Sequence, residues 1–227
     1  MNRVADKGGV VLGAARGLLI EGIPGTGKTC TIRQIQRIPT FSQRASTSLL
    51  MIGEEMTQRT LERRSLEGSL SAKDHIELLD EILLPLEQQQ KRFAERGWDG
   101  SQEQFGFTYL LERFHLTHAT NYTYLRDWDF SAIEERLNDL SGKGCLLVMD
   151  PEVMKQRIID SRPFPAWRKY ISRYGESDEQ ILAHYLEQQE QLRTLVQKSK
   201  LNWLVINTSE ANWSVVATSV WKHWMAK

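Results

Sequence analysis

Short apolar runs alternate along this chain with longer stretches whose apolar residues recur at helical spacing. Leu18 to Glu21 reads as a short buried strand, and residues 28–37 as a helix stopped near Pro39. Residues 48–53 (SLLMIG) form a second strand that ends on two glutamates. Residues 56–97 carry a helical pattern through Ile76, Leu79, Leu83 and Leu86, with Pro85 expected to kink or divide it. Residues 105–111 (FGFTYLL) read as a third strand, rich in aromatics. Ser131 with Glu134 has the spacing of a capping box, and Ile133, Leu137 and Leu140 follow as an apolar stripe closed by Gly142 and Gly144. Residues 145–149 (CLLVM) make a fourth strand, after which Asp150 and Pro151 suit the N-cap and first turn of a helix. Ser177 with Gln180 is a second capping box, opening a long helix to about Lys198. Residues 203–206 (WLVI) are the fifth strand, and a last helix carries Trp213, Val216, Val220 and Trp224 on one face.

Apolar strands alternating with helices imply an α/β fold, with a parallel sheet covered on both faces. Such sheets bind ligands at the carboxyl ends of their strands. Residues 1–16 read as an N-terminal arm, and residues 17–227 as a single domain. Lysine plus arginine equals aspartate plus glutamate, 29 of each, which argues against nucleic acid as the partner. Cys30 and Cys145, the two cysteines, read as buried thiols of a reducing compartment rather than a disulfide. The N-terminus lacks the sustained apolar core of a signal peptide, and no apolar stretch approaches a membrane span. The expectation is a cytoplasmic protein that uses neither a membrane nor nucleic acid.

Gly22-Ile-Pro-Gly-Thr-Gly-Lys-Thr29 fits G-x-x-x-x-G-K-[ST] at every fixed position, with a strand before it and a helix after it. The glycines let backbone amides wrap around phosphate, and the helix N-terminus adds positive partial charge. The cradle is expected to use Gly22, Ile23, Pro24, Gly25, Thr26, Gly27, Lys28, Thr29 and the adjoining Cys30. Lys28 is expected on the β- and γ-phosphates of ATP or GTP, and Thr29 on magnesium. The chain has no N-K-x-D element of guanine-specific GTPases. Asp150 ends an apolar strand as a magnesium-binding aspartate does, but Pro151 after it favours a helix cap.

With four further pieces, the chain resembles the P-loop kinases of the thymidylate kinase and deoxynucleoside kinase type over roughly residues 17–225. The pieces are Ile52-Gly-Glu-Glu-Met56, Leu111-Glu-Arg-Phe114, Met149-Asp-Pro-Glu-Val153 followed by Arg157 and Arg162, and Ile206-Asn-Thr-Ser209. The resemblance implies a three-layer fold, a five-stranded parallel sheet with helices on both faces, and an Arg-rich lid over about residues 155–176. It departs from the family in that no proline follows Glu54 and Glu55, and the residues around His115 and His118 match no nucleoside-kinase pattern.

By this resemblance, Glu54 or Glu55 is the candidate base for an acceptor hydroxyl, and Glu112 sits beside magnesium. Arg113 grips acceptor or phosphate oxygens. Arg157 and Arg162, of the cluster that also holds Arg168, Lys169 and Arg173, supply charge to the transition state. Asn207 and Thr208 approach the nucleobase of the donor. His115 and His118 read as a polar wall of the acceptor pocket rather than a metal pair. Among Trp98, Phe105, Phe107, Tyr109, Tyr122, Tyr124 and Trp128, most are expected in the core, with one or two free to stack on a planar acceptor. The helical stretch 56–97 is a candidate pocket cover or homodimer face. The leading functional reading is transfer of a γ-phosphoryl group to a small-molecule hydroxyl, most readily on a nucleoside-like acceptor. A nucleoside monophosphate kinase, a kinase for a natural product or antibiotic, and a regulatory ATPase without an acceptor are the alternatives.

Overall fold

A computed structural model describes residues 15–39, 49–97 and 106–226, with the side chain of Arg63 excepted. The N-terminal arm, Ser48, Trp98 and Phe105 therefore lie outside the described residues, apart from Ala15 and Arg16 at the end of the arm. Five strands form one parallel sheet: β1 (Ala15–Glu21), β2 (Leu49–Ile52), β3 (Phe107–Glu112), β4 (Gly142–Val148) and β5 (Asn202–Asn207). Their order is β2-β3-β1-β4-β5, all neighbours parallel. The chain moves to one side of β1 and then to the other, so the loop after β1 stands at the switch point where such sheets bind ligands.

Alternation along β1 sorts the core. Leu18 and Ile20 face Ile32 and Ile35 of helix α1 (Lys28–Ile35) and Val216, Val220 and Trp224 of the last helix, Trp213–Met225. Leu19 faces the other way, toward Leu79, Leu83 and Leu86 and toward Ile133 and Leu137. The sheet is thus covered on both faces, giving three layers. Between β2 and β3 the chain forms a π-helical turn (Glu55–Arg59), α2 (Thr60–Leu66) and α3 (Ala72–Glu95). Helices α4 (His115–Asn121) and α5 (Ser131–Asp139) precede β4. After β4 come α6 (Pro151–Met154), a second π-helical turn (Lys155–Asp160), α7 (Pro165–Ile171) and α8 (Asp178–Lys198), and the last helix is α9. Among the described residues no helix is long and apolar enough to cross a membrane.

Several local expectations are corrected. Pro85 does not divide α3, which runs unbroken from Ala72 to Glu95. Pro85 lies on the exposed face, as does Glu81, whose carbonyl the ring leaves without a donor, while Leu79, Ile82, Leu83 and Leu86 hold the opposite face in the core. The stretch 56–97 is interrupted instead at residues 67–71, and Ser71 with Asp74 caps α3. Glu134 does not cap α5. Its buried carboxylate accepts from Ser199 Oγ at 2.6 Å and from the Lys200 amide at 2.7 Å, and lies 3.1 Å from His115 Nε2. Ser177 and Gln180 do form their capping box on α8. Cys30 is exposed rather than buried, and Cys145 is buried, with its thiol pushed up to about 12 by burial.

Candidate active site

The carboxyl ends of β1, β3 and β2 and the segment after β4 enclose a cleft of about 330 Å3. Its floor is the loop after β1. Gly22, Gly25 and Gly27 have φ of 144°, 87° and 87°, in the left-handed half of backbone space that glycine enters without strain. A Cβ on Gly22 would lie 2.6 Å from the Leu147 carbonyl oxygen, and one on Gly27 would lie 2.2 Å from the Trp213 ring. Thr26 and Ile23 are buried supports: Thr26 Oγ1 donates to the Ile23 carbonyl at 2.9 Å. Lys28 Nζ donates to the Gly22 carbonyl at 2.8 Å. Burial, with Arg113 nearby, lowers the Lys28 ammonium to about 7 against the pull of Glu112, Glu54 and Glu21. Pro24, Gly25, Gly27, Lys28, Thr29 and Cys30 all line the cleft.

Opposite the loop stands Glu54. Arg113 Nε lies 2.8 Å from its Oε2, and Arg59 donates to its Oε1 at 2.7 Å. Burial works against its ionisation, but Arg113, Lys28 and Arg59 together hold the carboxyl below its usual range. Glu55 is separate: its side chain is 77% exposed, 3.5 Å from Arg59, and does not reach the cleft. Glu112, at the end of β3, lines the same cleft as Thr29. Burial raises its carboxyl, with Lys28 opposing and Glu54 reinforcing the rise. Arg113 has φ of 56°, a left-handed conformation that costs a non-glycine residue about 1–2 kcal/mol. Its amide donates to the Ile20 carbonyl at 3.0 Å, which holds the turn so that the guanidinium faces Glu54.

The segment after β4 forms the third wall. Arg157, Ser161, Arg162, Trp167 and Tyr170 line the cleft. Arg162 sits over the Trp167 ring at 4.6 Å and is half-buried. The Tyr170 hydroxyl donates to Glu62 at 3.1 Å, joining this wall to α2. Arg168, Lys169 and Arg173 point elsewhere. Arg168 pairs with Asp178 at 2.7 Å, Arg173 covers the Tyr170 ring at 3.8 Å, and Lys169 is exposed.

Asn207 and Thr208 do not line the cleft. Thr208 is 1% exposed, and its hydroxyl lies 3.0 Å from the carbonyl oxygens of Thr26 and Val148, so it braces the loop from behind. Asn207 donates to Asp150 at 2.7 Å. Asp150 takes the N-cap position of α6, yet its carboxylate makes no capping bond and serves Asn207 instead. Trp213 does line the cleft, next to Gly27, with Arg157 5.5 Å above its ring. His115 and His118 are both fully buried and lie outside the cleft. Phe107 and Tyr109 are core, and none of the described aromatics around β3 lines the cleft.

Sequence reasoning also missed Glu21. It is 0% exposed at the end of β1, and its carboxylate accepts from the Phe114 amide at 2.8 Å and from the Thr117 hydroxyl. A carboxylate ending an otherwise apolar strand was the available signal. This contact fixes the turn after β3 against the start of the loop.

Among the described residues no group of three metal-ligating side chains exists. Magnesium seldom needs one, because one or two protein oxygens and substrate phosphates complete its shell. Thr29 and Glu112 are hard oxygen donors on the same cleft and fit that role.

No family model matches the sequence, and no curated protein matches it. Among solved structures, the YorR protein of Bacillus subtilis in complex with phosphorylated GDP has a TM-score of 0.53 at 13% identity, over 90% of this chain and 92% of that one. Shikimate kinase from Acinetobacter baumannii in complex with shikimate has a TM-score of 0.50 at 16% identity, over 92% of each chain. Thymidylate kinase from Ehrlichia chaffeensis reaches 0.45 at 14% identity, over 92% of this chain and 97% of its own. The first two likenesses establish that the chain has a P-loop kinase fold.

Proposed function

We propose that this chain is a magnesium-dependent kinase that moves the γ-phosphoryl group of ATP or GTP to a hydroxyl of a small, nucleoside-like acceptor. The observation that carries the reading is one cleft with two complementary walls. The phosphate loop with Lys28 forms one, and Glu54, held between Arg59 and Arg113, forms the other. The solved structures of like fold hold shikimate and a phosphorylated GDP, which accords with a small-molecule acceptor.

Phosphoryl transfer is largely positioning and charge neutralisation. Loop amides and Lys28 bind the triphosphate, and Thr29 and Glu112 would hold magnesium, which would neutralise charge on the phosphate oxygens. Glu54, kept ionised by its arginines, accepts the proton of the acceptor hydroxyl and orients that oxygen. Arg157 and Arg162 meet charge on the transferring group from the third wall, whose closure over the donor makes it a lid. Trp213 and Arg157 face the end of the loop where the nucleobase of the donor emerges.

A second reading has its own observation. Arg59, Arg113 and Arg162 converge on one pocket, an arrangement that suits an acceptor already bearing a phosphate. Glu54→Gln and Glu55→Gln, compared on the best acceptor, separate the two. A hydroxyl acceptor predicts that Glu54→Gln loses roughly 10²- to 10⁴-fold in kcat with nucleotide binding intact, the range for a positioned acid–base group. Glu55→Gln stays near wild type. Normal turnover by both variants, or a best acceptor that is a monophosphate extended to a diphosphate, removes the hydroxyl reading.

A further inference from the structure

His75 and His118 are buried histidines that the proposed chemistry does not use, and they form a continuous chain between the surface and the cleft. Tyr124, half-exposed, lies 2.8 Å from His75 Nε2. His75 Nδ1 lies 2.7 Å from His118 Nδ1. His118 Nε2 lies 2.6 Å from the Thr57 carbonyl, and Thr57 Oγ1 donates at 2.6 Å to the carbonyl of Glu112. His75, His118 and Thr57 are each 0% exposed.

With both rings neutral, the contacts place every proton. The Thr57 carbonyl only accepts, so His118 carries its hydrogen on Nε2. Neutral His118 then accepts at Nδ1, which requires a hydrogen on His75 Nδ1. Neutral His75 accepts at Nε2, from the Tyr124 hydroxyl. The chain is therefore directional, from Tyr124 through both imidazoles to Thr57. Burial supports the neutral forms, lowering His75 to about 4 and His118 to about 3.

The last two links join the elements that must meet at the site. Thr57 lies in the π-helical turn whose two ends carry Glu54 and Arg59, and Glu112 precedes Arg113 at the end of β3. Glu54 meets Arg113 only if turn and strand end keep their register. We propose that His75, His118 and Thr57 are positioning residues that lock the turn at Glu55–Arg59 against the end of β3, so that Glu54 is delivered to Arg113. Their catalytic consequence rests on the kinase reading, but the lock itself does not.

Two measurements test it. Nitrogen-15 NMR of the wild-type protein reads the imidazole tautomers directly, and hydrogens on His118 Nε2 and His75 Nδ1 are expected. The opposite tautomer at either ring overturns the chain. Carbon-13 NMR titration of the Glu54 carboxyl, assigned by its loss in Glu54→Gln, then compares Thr57→Val with Thr57→Ser. Valine keeps the shape without the hydroxyl, and serine keeps the hydroxyl. The Glu54 titration is expected to rise by about one pH unit in Thr57→Val as Arg113 slips away, and to stay at the wild-type value in Thr57→Ser. With MgATP and the best acceptor, Thr57→Val loses up to about 100-fold in kcat with the nucleotide KM unchanged, the cost of misplacing a reacting group by about 1 Å, and Thr57→Ser restores it. An unchanged Glu54 titration in folded Thr57→Val refutes the lock. A wild-type protein that transfers nothing refutes the kinase reading and leaves the titration to decide the lock.

Discussion

Replacing Gly27 by alanine tests the packing of the phosphate loop on the last helix. Gly27 has φ of 87°, and an alanine there pays about 1–2 kcal/mol for the left-handed backbone. The added Cβ would also lie 2.2 Å from Cη2 and Cζ3 of Trp213. Carbon atoms in ordinary contact stand about 3.5–4.0 Å apart, so the ring must withdraw by about 1.5 Å and give up its contact with the loop. Loss of that packing adds about 1–2 kcal/mol, for a total near 2–4 kcal/mol. The natural control is Trp213→Ala, in which the ring is gone and only the backbone cost remains. Urea unfolding of the wild type, both single variants and the double variant gives the coupling, expected at about 1–2 kcal/mol for residues in direct contact. MgATP affinity, measured by calorimetry on the same four proteins, should fall for Gly27→Ala. Part of it should return in the double variant. Gly27→Ala within ~0.5 kcal/mol of wild type, or an equal cost in both backgrounds, would refute this packing.

Acid should destabilise the protein through His75 and His118. Both imidazoles are lowered in the fold, to about 4 and about 3, while the unfolded chain titrates near 6.5. As pH falls below 6.5 the unfolded state takes up protons that the folded state refuses, so stability is present above that pH and lost below it. At pH 5 the loss is about 2 kcal/mol for each ring. Urea midpoints at pH 8 and pH 5 measure this, and equal midpoints contradict it. In a separate experiment, hydrogen exchange over residues 157–175 should slow when a non-hydrolysable ATP analogue binds, because Arg157 and Arg162 line the cleft. Unchanged exchange would make that segment a fixed wall rather than a lid.

The phosphate loop was legible because its constraints are local. Three glycines with positive φ, a lysine and a threonine recur at fixed spacing between a strand and a helix, so the residue types alone carry the geometry. The five strands were legible for the same reason, as short apolar runs. Glu54 and Arg113 were legible as residues at strand ends, but their pairing was not, since 59 positions separate them in sequence. Arg59 lies five positions after Glu54, and nothing in the local sequence shows that a π-helical turn folds it back onto that carboxylate. Trp213 read as one more apolar residue of the last helix, because nothing in α9 reveals that its first turn abuts Gly27. Glu134 shows the opposite failure, a correct local spacing overridden by buried tertiary partners in His115, Ser199 and Lys200.

Following the γ-phosphoryl group distinguishes transfer from hydrolysis. The protein is incubated with MgATP carrying a labelled γ-phosphate and a panel of nucleosides, nucleoside monophosphates and hydroxylated natural products. The label is then located by chromatography and mass spectrometry, with Lys28→Ala as the control. A kinase yields a labelled small molecule formed one-for-one with nucleoside diphosphate, and a loss of at least ~100-fold in Lys28→Ala, as expected for a contact to the transition-state charge. Label found only in orthophosphate, at a rate that no member of the panel stimulates, would contradict transfer and make the protein a nucleotide-hydrolysing switch.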